Sequence, residues 1–352
     1  MINFKIGILG TGSIAAKIAE TIEKLDSFEI YAVASRDAAR AEEFASKYSI
    51  KKSYGSYDEL VNDPEVELVY VATPHQCHAD NAVLALNAGK PVLVEKPFSY
   101  NNKTAQDVFA LAREKNLFCG EANWLRFMPL TKLLITALRE KAIGEIRYMN
   151  ASLCYDLRNK ERVVKPEFAG GAILDIGIYP LTAIFLAMNS MPVAVSSSSV
   201  KLSTGIDAID TIQMNFTNGR AATCFTSILY KSENMCTIYG TEGRIEIDNI
   251  NCPEEIRVYN FNNDIVKKAT PSERQISGYE FEFIAARDAI ITGKLECPEM
   301  SHKDTITTLS FMDMLRRSWQ VFYPLPGEDT VKNPPIPKQV GPNVPKGPVQ
   351  TV

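Results

Sequence analysis

The sequence predicts an α/β protein in which a doubly wound parallel sheet is followed by an α+β domain with a large, mostly antiparallel open sheet. In the first third of the chain, short β-branched runs alternate with amphipathic helical stretches, as in parallel sheets with crossover helices. After about residue 123 the strands become longer and alternate between apolar and polar side chains, as antiparallel strands do. At 352 residues the chain is also too long for one small core, so two domains are expected.

Composition and charge exclude several classes of function. The 38 basic and 42 acidic side chains give a net charge of -4, so no basic surplus can neutralise a nucleic-acid backbone. No run of about 18 uncharged apolar residues could span a bilayer, and no basic leader with a cleavage site precedes the first predicted strand. The seven cysteines are scattered, which indicates reduced thiols. We therefore expect a cytoplasmic protein without a nucleic-acid or membrane partner.

The first predicted domain spans residues 1–123 and has strands that alternate with helices. The predicted strands are residues 5–9, 29–34, 68–72, 91–94 and 117–119. The predicted helices, which carry apolar residues at helical spacing, are residues 14–24, 38–48, 79–88 and 104–115. Because each strand is followed by a helix long enough to cross over, the strands are expected to be parallel.

The second predicted domain spans residues 124–330 and begins with a helix at 129–141. Its predicted strands are residues 147–155, 194–202, 211–216, 220–229, 235–239 and 244–247. Asn218-Gly219 and the 240–243 segment favour tight hairpins between neighbouring strands. Helices predicted at 279–291 and 302–321 are expected to pack on this sheet. Residues 331–352 hold six prolines and are predicted to form an extended or disordered Pro-rich tail.

A glycine-rich loop with the pattern G-x-G-x-x-A follows the first predicted strand. Gly10 allows a sharp turn, Gly12 lets a pyrophosphate approach the main chain, and Ala15 keeps the helix close to the strand. Free amides and the positive end of the helix would then face the phosphates. The pattern predicts a Rossmann domain that binds a dinucleotide. The loop residues expected to contact it are Gly10, Thr11, Gly12, Ser13 and Ile14.

Ser35 and Arg36 end the second predicted strand, where an NAD-selective site places an acidic residue. An arginine can form paired, charge-assisted hydrogen bonds to a ribose 2′-phosphate, whereas an acid would repel it. The pair therefore favours NADP over NAD. The alternative is that Arg36 and Asp37 only cap the next helix on the protein surface.

Two polar segments follow the predicted strands at 68–72 and 91–94. They are Thr73-Pro74-His75 and Glu95-Lys96-Pro97. Ligands of open α/β sheets gather at the carboxyl ends of strands, so both segments are expected to line the cofactor site. Pro97 stiffens the main chain and can direct the Lys96 ammonium inward. The alternative is that Lys96 is an ordinary surface lysine.

A glycine pair at 170–171 precedes Asp175 and Tyr179, which lie four residues apart in a predicted helix. Residues with this spacing project from one helix face. Their neighbours are apolar, and a carboxylate and a phenol are costly to bury without partners. The pattern indicates that both side chains face a site. The alternative is a helix with one exposed polar stripe.

At these residues the chain resembles the Gfo/Idh/MocA family of glucose–fructose oxidoreductases and inositol dehydrogenases. The resemblance runs from about residue 5 to 321 and covers the glycine loop, the segments at 73–78, 95–97 and 121–129, and the Gly-Gly-x-x-x-Asp-x-Gly-x-Tyr segment. It implies that Lys96 lies beside the nicotinamide and that Asp175 and Tyr179 meet the substrate. Inositol dehydrogenases carry His where this chain has Tyr179. With tyrosine at this position, the chain resembles the branch that contains dimeric dihydrodiol dehydrogenases, NADP-dependent aldose dehydrogenases and glucose–fructose oxidoreductase.

The resemblance also implies an activity and an assembly. We expect an NADP(H)-dependent oxidoreductase that transfers a hydride between the nicotinamide and a secondary alcohol or hemiacetal carbon of a sugar or polyol. The alternatives are a trans-1,2-dihydrodiol dehydrogenase and a nonenzymatic NADP-sensing regulatory protein. A homodimer is expected to form through the outer face of the second sheet.

The expected proton transfer involves a phenol and an ammonium. Tyr179 can exchange a proton with the substrate if its pKa of about 10 is lowered. Lys96 within about 4 to 6 Å would favour the tyrosinate, and Asp175 would orient the substrate or hold Lys96.

Further candidates complete the predicted site. Trp124 and Arg126 are assigned to the cofactor, and Phe127 and Tyr155 to the substrate, because aromatic rings and guanidinium donors suit a polyol. His75, Cys77 and His78 could be read as metal ligands, but they supply too few for a zinc site. No metal is therefore expected.

Overall fold

The computed structural model describes residues 3–326 and residue 328, and its first sheet has six parallel strands. The strands are β1 (Phe4–Leu9), β2 (Phe28–Ala34), β3 (Lys52–Tyr54), β4 (Leu68–Val71), β5 (Val92–Glu95) and β6 (Cys119–Ala122). They lie in the order β3-β2-β1-β4-β5-β6, so the direction of winding reverses between β1 and β4. This is the Rossmann strand order, in which the reversal opens a crevice for a dinucleotide. The predicted doubly wound sheet is confirmed.

Five helices connect these strands. They are α1 (Ser13–Ile22), α2 (Ala38–Lys47), α3 (Tyr57–Val61), α4 (His78–Asn87) and α5 (Asn102–Glu114). Each turns an apolar face to the sheet, and α1 for example buries Ala15, Ile18 and Ile22. The sequence did not predict β3 or α3, since three and five residues are too few to show a periodic pattern.

The second sheet is reached through α6 (Pro129–Arg139) and has eight strands. The strands are β7 (Ile146–Cys154), β8 (Ala194–Lys201), β9 (Asp207–Asn215), β10 (Ala221–Ser227), β11 (Cys236–Gly240), β12 (Gly243–Asp248), β13 (Glu255–Asn260) and β14 (Ile265–Ala269). Their order is β14-β13-β12-β11-β7-β10-β9-β8, and only the β7–β10 pair is parallel. The mostly antiparallel open sheet is confirmed, although β13 and β14 were not predicted.

Both predicted hairpins form where the turn residues allow a tight reversal. Asn218 and Gly219 adopt φ values of 63° and 68° between β9 and β10. Between β11 and β12, Tyr239 pairs with Arg244 across the second turn. These turns set the register that directs alternate side chains of the sheet into the core.

Four further helices follow in the chain. They are α7 (Glu161–Val164), α8 (Ile178–Met188), α9 (Glu280–Ile291) and α10 (His302–Ser318). A π-helical turn, Ile173–Gly177, leads directly into α8. Within Pro166–Met188, one window of 18 residues is apolar enough to span a membrane, with a mean hydropathy of 1.8, but 83% of that window is buried inside the protein. Its π-helical turn and α8 are core elements of this fold.

The expectation that the helix at 279–291 packs on the second sheet is wrong. Phe283, Ala286 and Ala289 of α9 join the core formed by Phe4 and Ile6 of β1. The chain therefore returns to the first sheet after completing the second. Helix α10 contacts α5, β6 and α8, so it lies between the two sheets. A helical pattern shows that a helix has a buried face but does not show which sheet covers it.

Other sequence expectations concern the cysteines and the chain end. All seven cysteines are free, and five of them are buried. The predicted tail at 331–352 lies outside the described residues.

Candidate active site

A cleft of about 730 Å³ lies at the carboxyl ends of β1, β4 and β5. The structure brings most of the predicted site residues together along its wall. Those that line it are Gly10, Thr11, Gly12, Ser13, Ile14, Ser35, Arg36, Thr73, Pro74, His75, Glu95, Lys96, Trp124 and Tyr179. Residues that follow strands of the first sheet and residues beside the second sheet therefore line one cleft. Open α/β sheets bind their ligands at this edge.

Several lining residues were not predicted. They are Lys17, Asp37, Arg40, Tyr57, Ala72, His78, Ala122, Arg162 and Tyr279. Lys17 lies one turn beyond the glycine loop and Arg40 one turn beyond Arg36, so helical spacing could have indicated both. Arg162 and Tyr279 come from distant segments, and no local pattern points to them.

Five predicted site residues lie outside the lining. One is Asp175, which is buried behind Lys96 and Arg162. The placement of the other four corrects the expected contacts. Phe127 is 1% exposed and packs in the core beside Ala122 and Phe283. Arg126 donates to the main-chain oxygen of Glu299 and to the Asp304 carboxylate. The Tyr155 hydroxyl donates to Asn251 at 3.1 Å. The main-chain oxygen of Pro97 lies 2.7 Å from His78 Nδ1. All four have structural partners instead of facing the cleft.

The glycine loop has the shape that a pyrophosphate requires. Gly10 has φ +107°, and a Cβ atom there would lie 2.7 Å from the main-chain oxygen of Ala72. Gly12 caps α1 without a side-chain hydrogen bond, and a Cβ atom there would meet nothing within 4 Å. The first amides of α1 therefore face open space. This loop fits the phosphates of a dinucleotide.

The ribose end of the cleft separates the two interpretations of Arg36 and Asp37. The Asp37 carboxylate caps α2 by accepting hydrogen bonds from the N–H groups of Ala39 and Arg40. Arg36 caps none of the described helices and lines the cleft together with Ser35, Asp37 and Arg40. The cap is therefore formed by Asp37, while two guanidinium groups face the cleft.

Lys96 and Tyr179 converge at the other end of the cleft. The Lys96–Pro97 peptide bond is cis. Lys96 Nζ donates to the main-chain oxygen of Asp175 at 2.5 Å and lies 3.9 Å from Asp175 Oδ1. The same nitrogen is 4.9 Å from the centroid of the Tyr179 ring. The alternative of a surface lysine is wrong, because the side chain is only 14% exposed.

The carboxylate of Asp175 is surrounded by positively charged and hydrogen-bonding groups. Arg162 Nη1 donates to Oδ1 at 2.5 Å, and His75 Nε2 lies 3.5 Å from the same oxygen. Burial by itself would raise the pKa of Asp175, but Lys96 and Arg162 outweigh it and lower this pKa to about 2. The carboxylate is therefore ionised at neutral pH.

The turn that carries Asp175 is a π-helix instead of the α-helix that the spacing predicted. It begins where the Ile173 N–H donates to Asp207 Oδ2 at 2.6 Å. Gly171 precedes it with φ +115°, and a Cβ atom at Gly171 would collide with the same Asp207 carboxylate. Both Asp175 and Tyr179 still approach Lys96, so the expected convergence is found. π-Helical turns are frequent at functional sites.

The expected lowering of the pKa of Tyr179 is wrong. Burial raises the pKa of the Tyr179 phenol well above its usual value, and Tyr279, Glu95 and Asp175 add to the effect. Burial also lowers the pKa of Lys96, although Asp175 opposes it. The hydroxyl therefore stays protonated, and the ammonium releases its proton more readily than an exposed lysine does.

The two histidines near the site have main-chain partners. His75 Nδ1 lies 3.2 Å from the oxygen of Ala169, and the ring nitrogens of His78 each lie 2.7 Å from a carbonyl oxygen of Thr73 or Pro97. Within residues 3–326, no three His, Cys, Asp or Glu side chains are grouped as metal ligands.

Comparisons with known proteins agree with this geometry. The Gfo/Idh/MocA model described as an oxidoreductase family with an NAD-binding Rossmann fold matches residues 4–122, and the Gfo/Idh/MocA C-terminal domain matches residues 132–246. The chain belongs to the Gfo/Idh/MocA oxidoreductase family. It is an enzyme of the oxidoreductase class with a nicotinamide-dinucleotide-binding domain, and the resemblance noted from its motifs is confirmed.

Relatives of this Gfo/Idh/MocA protein have named activities. The trans-1,2-dihydrobenzene-1,2-diol dehydrogenase of Danio rerio is 33% identical over 90% of this chain and 97% of its own. The mouse (Mus musculus) enzyme of the same name is 36% identical over 72% of this chain and 77% of its own. A 3-ketoreductase from Actinomadura kijaniata, solved with NADP and TDP-benzene, has a TM-score of 0.77 and 25% identity over 90% of this chain and 97% of its own.

A further solved structure supports the fold. The aldose-aldose oxidoreductase from Caulobacter crescentus, solved with glycerol, has a TM-score of 0.81 and 22% identity. The alignment covers 90% of this chain and 98% of that structure.

Proposed function

We propose that this protein is an NADP(H)-dependent dehydrogenase that acts on a CH–OH carbon of a small polyhydroxy compound. The observation that carries the proposal is the convergence of Lys96, Asp175 and Tyr179 at the carboxyl end of β5. The first candidate reaction is oxidation of an aldose at C1 to its lactone. The aldose-aldose oxidoreductase neighbour is named for this substrate class, but at its low identity it supports the fold alone.

The cofactor proposed for the cleft is NADP. A bound nicotinamide dinucleotide supplies the hydride acceptor in oxidation and the donor in reduction. The glycine loop would hold its pyrophosphate, and Ser35, Arg36 and Arg40 would bind the 2′-phosphate. Two guanidinium groups and a hydroxyl at this position favour NADP over NAD, because NAD has no phosphate for them to bind.

The proton transfer is assigned to Tyr179 and Lys96 together. Because the Tyr179 hydroxyl stays protonated, it would hydrogen-bond to the reacting oxygen and donate a proton when a carbonyl is reduced. Lys96 has a lowered pKa and lies beside the Tyr179 ring, so it can take up the proton during oxidation. Asp175 fixes the Lys96 side chain through its main-chain oxygen and its carboxylate.

An aromatic wall gives the cleft a flat apolar surface. The rings of Trp124 and Tyr279 are stacked at 4.1 Å with an interplanar angle of 11°. Trp124 lines the cleft, and its Nε1 is buried without a hydrogen-bond partner among the described residues. This wall would face the cofactor or one side of a sugar ring.

The second candidate substrate is a trans-1,2-dihydrodiol. The Danio rerio relative named for this activity aligns with this chain over 97% of its own length. The flat Trp124–Tyr279 wall also suits a cyclohexadiene ring. A nonenzymatic NADP-sensing protein is disfavoured, because it would need neither the buried Lys96 nor Tyr179 at the end of the cleft.

A substrate panel tests the proposed function. Purified protein is mixed with NADP⁺ or NAD⁺ and with aldoses, polyols or trans-dihydrodiols, and the absorbance of the reduced nicotinamide is recorded. We expect turnover of at least one aldose or diol, with NADP⁺ preferred. The absence of turnover with every sugar and diol, in both directions, would contradict the proposal.

We also propose a homodimer that forms through the outer face of the second sheet. Tyr239 of β11 is 43% exposed there and stacks on Tyr148 of β7 at 6.0 Å. A second copy would cover these rings. Size exclusion at low protein concentration should show twice the chain mass, and Tyr239→Arg should shift it to the monomer. We further propose a cytoplasmic location, where seven free thiols stay reduced.

A further inference from the structure

Arg162 is a charged side chain of the cleft that lies beside the proposed catalytic groups and has no role in the proposed chemistry. It belongs to α7, lines the cleft, and has a side chain that is 46% exposed. Its partner Asp175 is 3% exposed. One side of the ion pair is therefore embedded in the protein, and the other is open to a ligand.

The guanidinium of Arg162 has most of its donors available. A guanidinium carries five N–H groups, and Arg162 uses Nη1 alone, in its hydrogen bond with Asp175 Oδ1. Its remaining N–H groups have no acceptor in the described part of the chain. The nearby Arg158 differs, because its Nε and Nη2 both donate to the Asp156 carboxylate. Arg162 thus keeps a planar fork that matches two oxygens of an anion.

The short helix α7 is fixed to the turn that carries the catalytic groups. The N–H of Gly171 donates to the oxygen of Val163 at 2.8 Å, and the N–H of Gly170 donates to the oxygen of Lys165 at 3.2 Å. The glycine pair that leads to Asp175 therefore also holds the main chain that directly follows Arg162. Arg162 therefore belongs to a segment that is hydrogen-bonded to this turn.

The other acid at this end of the cleft is already engaged. Glu95 accepts hydrogen bonds from the Tyr70 hydroxyl and from the N–H of Lys96. Asp175 Oδ1 is shared among Arg162, His75 and Lys96. Neither carboxylate occupies the free fork of Arg162.

We propose that Arg162 binds an oxyanion carried by the substrate, so that the substrate is a polyhydroxy compound with a carboxylate or a phosphate group. The inference rests on the proposed function and specifies its substrate class. Paired hydrogen bonds from a guanidinium fix both the position and the orientation of such a group. They would hold the substrate with its reacting CH–OH next to Lys96 and Tyr179.

The test uses three sugars that share one ring and differ at C6. Glucose carries a hydroxyl, glucuronate a carboxylate and glucose 6-phosphate a phosphate. Values of kcat/KM are measured for the wild type, Arg162→Gln, Arg162→Lys and the control Arg158→Gln. We expect the wild type to prefer one anionic sugar over glucose by about 10- to 100-fold, as a charge-assisted bond would give. The preferred anion shows whether the group is a carboxylate or a phosphate.

The variants show whether Arg162 causes this preference. Arg162→Gln should abolish it mainly through KM, Arg162→Lys should retain part of it because the charge remains without the fork, and Arg158→Gln should retain all of it. Equal kcat/KM for the three sugars in the wild type, or an equal loss for neutral and anionic sugars in Arg162→Gln, would overturn the inference. A melting curve of each variant confirms that it is folded.

A binding measurement separates this inference from the proposed function. The shift in melting temperature of the protein with glucuronate or glucose 6-phosphate is recorded in the presence of NADP⁺. If no sugar or diol is turned over but an anionic sugar stabilises the wild type and not Arg162→Gln, the proposed function fails and the anion site stands. If neutral sugars or diols are turned over and neither anion binds, the anion site fails and the dehydrogenase stands.

Discussion

The Nζ atom of Lys96 lies 4.9 Å from the centroid of the Tyr179 ring, although Lys96 follows a strand of the first sheet and Tyr179 begins a helix that covers the second. The main-chain oxygen of Asp175 accepts a hydrogen bond from Lys96 Nζ and helps to hold it there. The proposed proton transfer depends on this arrangement, because neither sheet alone supplies both groups.

Replacing Lys96 with methionine should abolish turnover without weakening cofactor binding. The substitution keeps the chain length but removes the proposed proton acceptor, so we expect kcat to fall by about 10²- to 10⁴-fold. The Kd for NADPH, measured by fluorescence titration, should change by less than about threefold, since the glycine loop is intact. Lys103→Met is the control, because Lys103 is 74% exposed on α5. A fall in both variants, or in neither, would contradict the role of Lys96.

Replacing Tyr179 with phenylalanine should reduce turnover and leave stability unchanged. The hydroxyl has no hydrogen-bond partner in the described part of the chain, so the melting temperature should stay within about 2 °C of the wild type. The kcat should fall about 10²-fold or more, because the proposed donor is gone. Tyr48→Phe, outside the cleft, should have no effect on kcat. Near-normal turnover by Tyr179→Phe would rule out its proton-transfer role.

The pH profile should report Lys96. Burial lowers its pKa from the usual 10.5, and the neutral amine accepts the proton during oxidation. The kcat for oxidation should therefore rise with pH and reach its plateau below pH 10.5, whereas the kcat for reduction should fall over the same range. Burial keeps the pKa of His75 well below 6.5, so titration of His75 should not contribute to this change in kcat. Lys96→Arg should abolish the rise of kcat with pH. If the rise is unchanged in this variant, another group causes it.

Replacing Arg36 with aspartate should weaken NADPH binding far more than NADH binding. The substitution removes one proposed partner of the 2′-phosphate and adds a repelling charge, so we expect the Kd for NADPH to rise by about 10- to 100-fold. The Kd for NADH should change by less than about threefold. Arg139→Asp, on the exposed side of α6, controls for the change in net charge. An equal loss for both cofactors would show that Arg36 does not contact the phosphate.

Replacing Gly171 with alanine should destabilise the turn that presents Asp175. Gly171 and Gly205 both have positive φ, +115° and +90°, but only at Gly171 would a Cβ atom meet another residue, the Asp207 carboxylate. Gly205→Ala should cost about 1 to 2 kcal/mol of unfolding free energy from backbone strain. Gly171→Ala should cost more and should also raise KM, as measured by denaturant unfolding and steady-state kinetics. Equal costs would show that the contact with Asp207 is unimportant.

The errors of the sequence interpretation have identifiable physical causes. The sequence interpretation assigns Phe127 to the substrate because aromatic rings suit a polyol, but Phe127 packs in the core, whereas Trp124 lines the cleft. The pKa of Tyr179 was expected to fall because a cation was expected nearby. The cation is present, but burial by surrounding atoms outweighs it.

The sequence by itself determined the two-sheet architecture, the glycine loop and the residue types at the strand ends, because each is encoded by neighbours within a few turns or strands of one another. Only the tertiary structure decided that Arg162 and Tyr279 enter the cleft, that α9 returns to the first sheet, and that Asp175 lies in a π-helical turn. These features depend on contacts between residues far apart in the chain. Such contacts depend on how the helices and sheets pack against one another, and a local sequence pattern does not predict them.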